Sequence, residues 1–168
     1  MLFGEEMKTQ RSAIASEFKL ALEAGVIDRR EIVQWADNLL MTEEYDDRLA
    51  EISLSRDKTN KDIEALLGEL AAPDDDFSGF RGMLGRMHDA LKADPTRLHE
   101  FTSFLERLWI RHDYTLPDDL GFIIGLEDEY LLAEEGQYGS VSAILTQLLD
   151  DLSRFRNANT EQDVTPNA

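Results

Sequence analysis

The stretch Gly25–Leu40, GVIDRREIVQWADNLL, decides how this chain folds. Gly25 is placed to end one helix, because glycine enters left-handed dihedrals without a Cβ clash. Asp28 is an N-cap residue for the next helix, and Glu31, three positions on, completes the pattern of a capping box. Ile27 before the cap and Ile32 at the fourth helical position have the spacing of a hydrophobic staple. Ile32, Trp35, Ala36, Leu39 and Leu40 then recur at i, i+3, i+4, i+7 and i+8, a single apolar stripe. The stretch predicts a tight turn into a helix that buries Trp35.

The same periodicity runs outward in both directions. Ile14, Phe18, Ala21 and Leu22 form a stripe that ends at Gly25, and the short turn predicts an αα-hairpin. Leu2 and Phe3 are expected to pack as an arm or to fray. Downstream, TEEYDD is an acidic joint before a short helix with Tyr45, Leu49 and Ile52 on one side. Thr59 or Asn60 starts a helix whose inner face is Ile63, Leu66, Leu67, Leu70 and Ala71, and Ala72-Pro73 ends it. Asp74–Asp76 reads as a polar loop. Phe80, Leu84, Met87 and Leu91 make the next stripe, closed at Asp94-Pro95, a dipeptide that also caps and opens the following helix. Leu98, Phe101, Leu105, Leu108 and Trp109 continue it. One helix is expected from Pro117 to Glu135 with Leu120, Ile123, Ile124 and Leu131 inward, weakened by Gly121 and Gly125. After a turn at Gly136–Gly139 the last helix carries Val141, Ile144, Leu145, Leu148, Leu152 and Phe155. No strand alternation stands out. The expectation is an all-α fold, a single compact bundle of seven or eight helices over residues 1–156, with a disordered tail over 157–168.

Composition bounds the chemistry. The 168 residues suit one domain. Lys and Arg number 17 against 35 Asp and Glu, for a net charge of −18. Such a field opposes direct nucleic-acid binding, which needs Lys and Arg at phosphates, and it opposes anionic membrane surfaces. It attracts a basic protein partner. Cysteine is absent, which removes disulfides and thiolate chemistry and suits a reducing cytoplasm. Neither a secretory signal nor the roughly 20 apolar residues of a membrane span is present, so a cytoplasmic protein is expected.

Catalytic and metal motifs do not emerge. The residues three before His88, His99 and His112 are Gly85, Thr96 and Trp109, so the Glu-x-x-His pattern of di-iron bundles is missing, and lone histidines on helices are expected at the surface or edge. Asp74–Asp76 lacks the alternation of a calcium loop. GFRGMLGR, 79–86, lacks the Gly-Lys-Ser/Thr of a phosphate loop and is expected to be a loosely wound helix start. Trp35 and Trp109 fall on inner faces and read as core. Neither cofactor nor catalytic residue is assigned. The acidic clusters remain as candidate partner-binding residues: Glu43, Glu44, Asp46 and Asp47 at the joint, and Glu127, Asp128, Glu129, Glu134 and Glu135 at the middle and end of the expected 117–135 helix. Asp118 and Asp119 are explained by the helix dipole.

LALEAGVIDRREIVQWADNLLMTEEYDDRLAEISLS, with its Gly25–Ile27 turn, Trp35-Ala36-Asp37 core and Ala50–Leu54 helix, together with GQYGSVSAILTQLLDDLSRF over Gly136–Phe155, resembles immunity proteins of bacterial polymorphic toxin systems. The resemblance covers about a third of the chain and implies binding and blocking of a cognate toxin. With the acidity, it leads to the expectation of a non-catalytic, immunity-type inhibitor of a basic, nuclease-type toxin. The alternatives are a DNA-mimic regulator that competes for a nucleic-acid-binding protein, and an enzyme built on the abundant carboxylates.

Overall fold

A computed structural model describes residues 2–42, 45–73 and 77–156. Among these residues the fold is all-α, with eight helices and no strand. They are α1 (Leu2–Glu23), α2 (Arg29–Thr42), α3 (Asp47–Ser53), α4 (Asn60–Leu70), α5 (Ser78–Ala93), α6 (Leu98–Arg111), α7 (Leu126–Glu134) and α8 (Val141–Ser153). Three short 3-10 turns, Ser55–Asp57, Pro95–Arg97 and Asp118–Ile123, link them. The expected loop at Asp74–Asp76 and the tail over 157–168 lie outside the described residues.

The signals at Gly25, Thr59 and Asp94-Pro95 end and start helices as the sequence predicts. Gly25 has φ +67°, and the Val26 N–H reaches back to the Ala21 carbonyl at 2.9 Å while Gly25 N–H reaches Leu22 at 3.1 Å, a Schellman turn. Thr59 and Asp62 form a reciprocal capping box on α4. Asp94 accepts from the Thr96 N–H with Pro95 at the first position of the turn that follows. The box expected at Asp28 does not close. Asp28 accepts from the Arg30 N–H at 2.8 Å, but Glu31 turns away to Arg86 of α5 at 2.7 Å, because a charged partner across the fold outweighs a local backbone bond.

Helix α1 is the shared wall of two apolar clusters. Ala15, Phe18 and Leu22 face one cluster with residues of α2, α3 and α4; Ala21 and Ala24, roughly a third of a turn round, face a second with α5 to α8. The hairpin of α1 and α2 does not form: α2 runs along α3, while α1 lies against α4 and α5. Trp35 is accordingly half-buried instead of buried, edge-on to Phe18 with centroids 5.4 Å apart. Trp109 is likewise half-buried, against Tyr114 at 5.0 Å. Tyr45 precedes α3 and is exposed, leaving Leu49 and Ile52 as that helix's buried face.

Gly79, Gly82 and Gly85 do not loosen α5; they let it approach its neighbours. A Cβ on Gly79 would stand 2.9 Å from the Glu17 backbone nitrogen, one on Gly82 would meet the Glu17 side chain, and one on Gly85 would stand 2.6 Å from the Phe155 carbonyl. Glu17, 9% exposed in this crevice, accepts from Arg86 Nε at 2.7 Å, and the other arm of the same guanidinium takes Glu31. Arg86 also stacks over Phe18. One arginine thus ties α1, α2 and α5. Burial raises the Glu17 pKa above the usual carboxylate range, against the pull of Arg86. His88, expected at the surface, is buried beside these glycines on α5, with Nδ1 2.9 Å from Asp89.

The helix expected over 117–135 is broken. Gly125, at φ +76°, separates the 3-10 turn Asp118–Ile123 from α7. The three-residue period of the turn and the left-handed break change the register. Leu120, Ile123, Leu126 and Tyr130 become the buried residues, and Ile124 and Leu131 are exposed. Asp119 pairs with Arg81 of α5 through two bonds of 2.8 and 3.0 Å, a stronger reason for its place than the helix dipole.

Candidate functional site

The break at Gly125 shapes an open groove on the surface of the described residues. Helix α7 turns back through residues 135–140 into α8, which is capped by the Ser140 hydroxyl accepting from the Ala143 N–H at 3.1 Å. Between the 3-10 turn, α7 and α8 lies an open groove of about 410 Å³. Its lining is mainly apolar, with Phe122, Leu126, Ile144 and Leu148; Leu126 and Leu148 are buried. Tyr138 borders it at 74% exposure, an aromatic left uncovered by this chain. Glu129, Gln147 and Asp151 form its polar rim. The groove thus has an apolar floor, an exposed aromatic and a polar rim that is partly acidic.

The structure separates the acidic residues singled out in the sequence. Glu43 and Glu44 lie outside the described residues. Asp46 is the N-cap of α3, held by Arg48 at 2.7 Å and Arg11 at 3.5 Å, and these bonds pull its pKa down to about 2. That carboxylate caps α3 and anchors Arg48 and Arg11. Asp47 is exposed in the first turn of α3. The other five residues are on the α7 side, in the second cluster's half of the fold. Glu127, Asp128 and Glu129 are in the first turn of α7, not at a helix middle or end, since the helix starts only after Gly125. There the dipole favours them. Asp128 and Glu129 are exposed and have no ion pair among the described residues. Glu134 accepts from the Tyr130 hydroxyl at 3.3 Å and Glu135 from Gln137 at 2.7 Å. Asp151, on the opposite rim, is engaged by Arg154 and Gln147 at 3.2 and 3.3 Å.

Glu127 has a different role from its neighbours, one invisible in the acidic run. It points back to α6, where the Ser103 hydroxyl donates to it and the Glu106 carboxyl hydrogen-bonds it. His99 Nε2 stands 3.8 Å away, and the His99 ring stacks on Tyr130 at 4.7 Å. The bond to Glu127 pushes the Glu106 pKa up to about 7, while the same bond and that from Ser103 lower Glu127. The two carboxyls titrate as a pair, and the cluster of His99, Ser103 and Glu106 around Glu127 clasps α7 onto α6. His99, Ser103 and Glu106 fall at i, i+4 and i+7 of α6, a polar stripe whose spacing is the signal that could have found them.

Among the described residues no three His, Asp or Glu side chains are grouped as metal ligands. No helix of the described residues is long and apolar enough to cross a membrane. Protein-family models, curated proteins and solved structures give no match to this chain.

Proposed function

We propose that this chain is a non-catalytic binding protein, an immunity-type inhibitor that occludes a basic, nuclease-type toxin with the α7–α8 groove and its acidic rim. One observation carries the reading: an apolar groove with an exposed tyrosine has Glu129 on its rim, next in sequence to Asp128, both exposed and without an ion pair among the described residues, in a chain of net charge −18. Apolar contacts in the groove supply affinity, and the carboxylates steer a cationic partner and exclude acidic ones. A nuclease surface is basic because it must neutralise phosphates, so it is the complement of this face. The test is association with the product of the neighbouring gene, followed at several salt concentrations. The expected result is a stoichiometric complex whose on-rate falls steeply with salt. Replacing Asp128 and Glu129 together by lysine should slow association by about tenfold at low salt. A wild-type on-rate in that double variant, or no complex at low salt, sinks the reading.

A further inference from the structure

A second cleft, of about 540 Å³, lies between the first half of α2 and the 3-10 turn Ser55–Asp57, and its charge runs against the rest of the molecule. Arginines in this chain are typically taken by its abundant carboxylates: Arg48, Arg81, Arg86, Arg97, Arg111 and Arg154 are all ion-paired. Arg30 and Arg56 have no ion pair among the described residues, and both border this one cleft. Arg29, also in its wall, donates to the Ser55 carbonyl and to the Lys58 carbonyl at 2.6 Å, fastening the turn to the start of α2. That fastening sets Ser55 in the cleft lining, where it is 1% exposed and its hydroxyl has no hydrogen-bond partner. A buried hydroxyl without a partner is unfavourable unless something else supplies an acceptor.

The chemistry of the lining selects the ligand. Two unpaired guanidiniums and a hydroxyl donor suit a phosphoryl group, and the adjacent start of the 14-residue helix α2 adds partial positive charge. Two carboxylates temper the site without cancelling it: Asp28 is engaged by the Arg30 N–H, and Asp37 takes the Ser53 hydroxyl. The lining holds one sizeable apolar side chain, Val33, and no aromatic, so nothing in it stacks on a planar ring. Asp37 and Gln34 instead offer acceptors and donors for hydroxyl groups. The volume exceeds what one phosphate fills and lies in the ordinary range for small-molecule sites. From this geometry we infer that the cleft binds a phosphate monoester of a polyhydroxylated small molecule, with Arg30, Arg56 and Ser55 holding the phosphoryl oxygens. The inference stands apart from the α7–α8 face and from any protein partner.

Calorimetric titration of the full chain at constant ionic strength tests it, with glucose 6-phosphate, inorganic phosphate and glucose as probes. Both phosphates should bind saturably, the ester about tenfold more tightly than inorganic phosphate, and glucose not at all. Arg30→Gln and Arg56→Gln should each weaken ester binding by about tenfold, and Arg107→Gln, on α6, should leave it unchanged. Ser55→Ala should weaken binding without lowering the melting temperature of the ligand-free protein, since the hydroxyl removed has no partner. Absence of saturable binding overturns the inference, as does equal affinity for ester and inorganic phosphate, or wild-type affinity in both arginine variants.

Discussion

Substituting alanine for Gly79 should destabilise the protein, whereas the same change at Gly68 should stabilise it. Both glycines are helical, so both substitutions gain helix propensity, up to about 1 kcal/mol at an interior position. Gly68 is an exposed residue of α4, where a new Cβ would meet only the flexible end of Lys19, 3.6 Å away. The gain is kept there, giving roughly 0.5–1 kcal/mol. At Gly79 the Cβ would stand 2.6 Å from Ser16 Oγ, 2.9 Å from Ser16 Cβ and 2.9 Å from the Glu17 backbone nitrogen. Two of these atoms belong to or adjoin the α1 backbone and cannot swing aside. Relief requires α1 and α5 to separate by roughly half an ångström or more, at an overpacking cost of 1–3 kcal/mol. Gly79 lies in the first turn of α5, where the propensity gain is smaller, so the net loss should be about 1–2 kcal/mol. Urea denaturation followed by helical circular dichroism reads both variants on one scale. If Gly79→Ala stabilises as much as Gly68→Ala, the close approach of α1 and α5 is not what that glycine provides.

Two further perturbations probe the charged clusters. Removing the guanidinium in Arg86→Met leaves the buried Glu17 carboxylate without its cation and should cost about 3–5 kcal/mol, most of it recovered by adding Glu17→Met; a denaturation double-mutant cycle checks both halves. The Glu106–Glu127 pair should give a pH-dependent stability. The folded-state pKa of Glu106, about 7, lies above its unfolded value, so its contribution is complete below pH about 4.5 and is lost as pH rises through about 7. Because Glu106 is only half-buried, solvent screening reduces the effect to about 1 kcal/mol. Glu106→Gln keeps a donor toward Glu127 and should remove that slope, so that it matches wild type near pH 5 and exceeds it near pH 8. A slope in the variant equal to that of wild type would show that another group is responsible.

What the sequence made legible was local. The turn at Gly25, the helix start at Thr59 and the Asp94-Pro95 junction each depend on residues within one helical turn, and each forms as the sequence predicts. What it concealed depends on which distant residue wins. Glu31 has the spacing to cap α2, but Arg86, 55 positions away, outcompetes the cap. Gly121 and Gly125 look alike in sequence; only the packing of Leu120 and Ile123 against the second cluster decides that the chain breaks at Gly125. That break moved Glu127–Glu129 to a helix start and exposed Leu131. The candidate groove was illegible for the same reason: Phe122, Tyr138 and Ile144 come from three elements whose register follows from the break. Glycines 79, 82 and 85 suggest looseness in the sequence alone, because the helix that they let approach lies far along the chain.

Docking of a basic protein on the α7–α8 groove and its acidic rim has a direct spatial signature. The most direct measurement is hydrogen exchange on the chain, free and in complex with the neighbouring gene's product at low salt. Docking there should slow exchange in residues 122–151, leave α2 and α3 unchanged, and lose that protection when Asp128 and Glu129 are replaced by lysine. Protection confined to α2 and α3, or protection of 122–151 that survives the charge reversal undiminished, would contradict it.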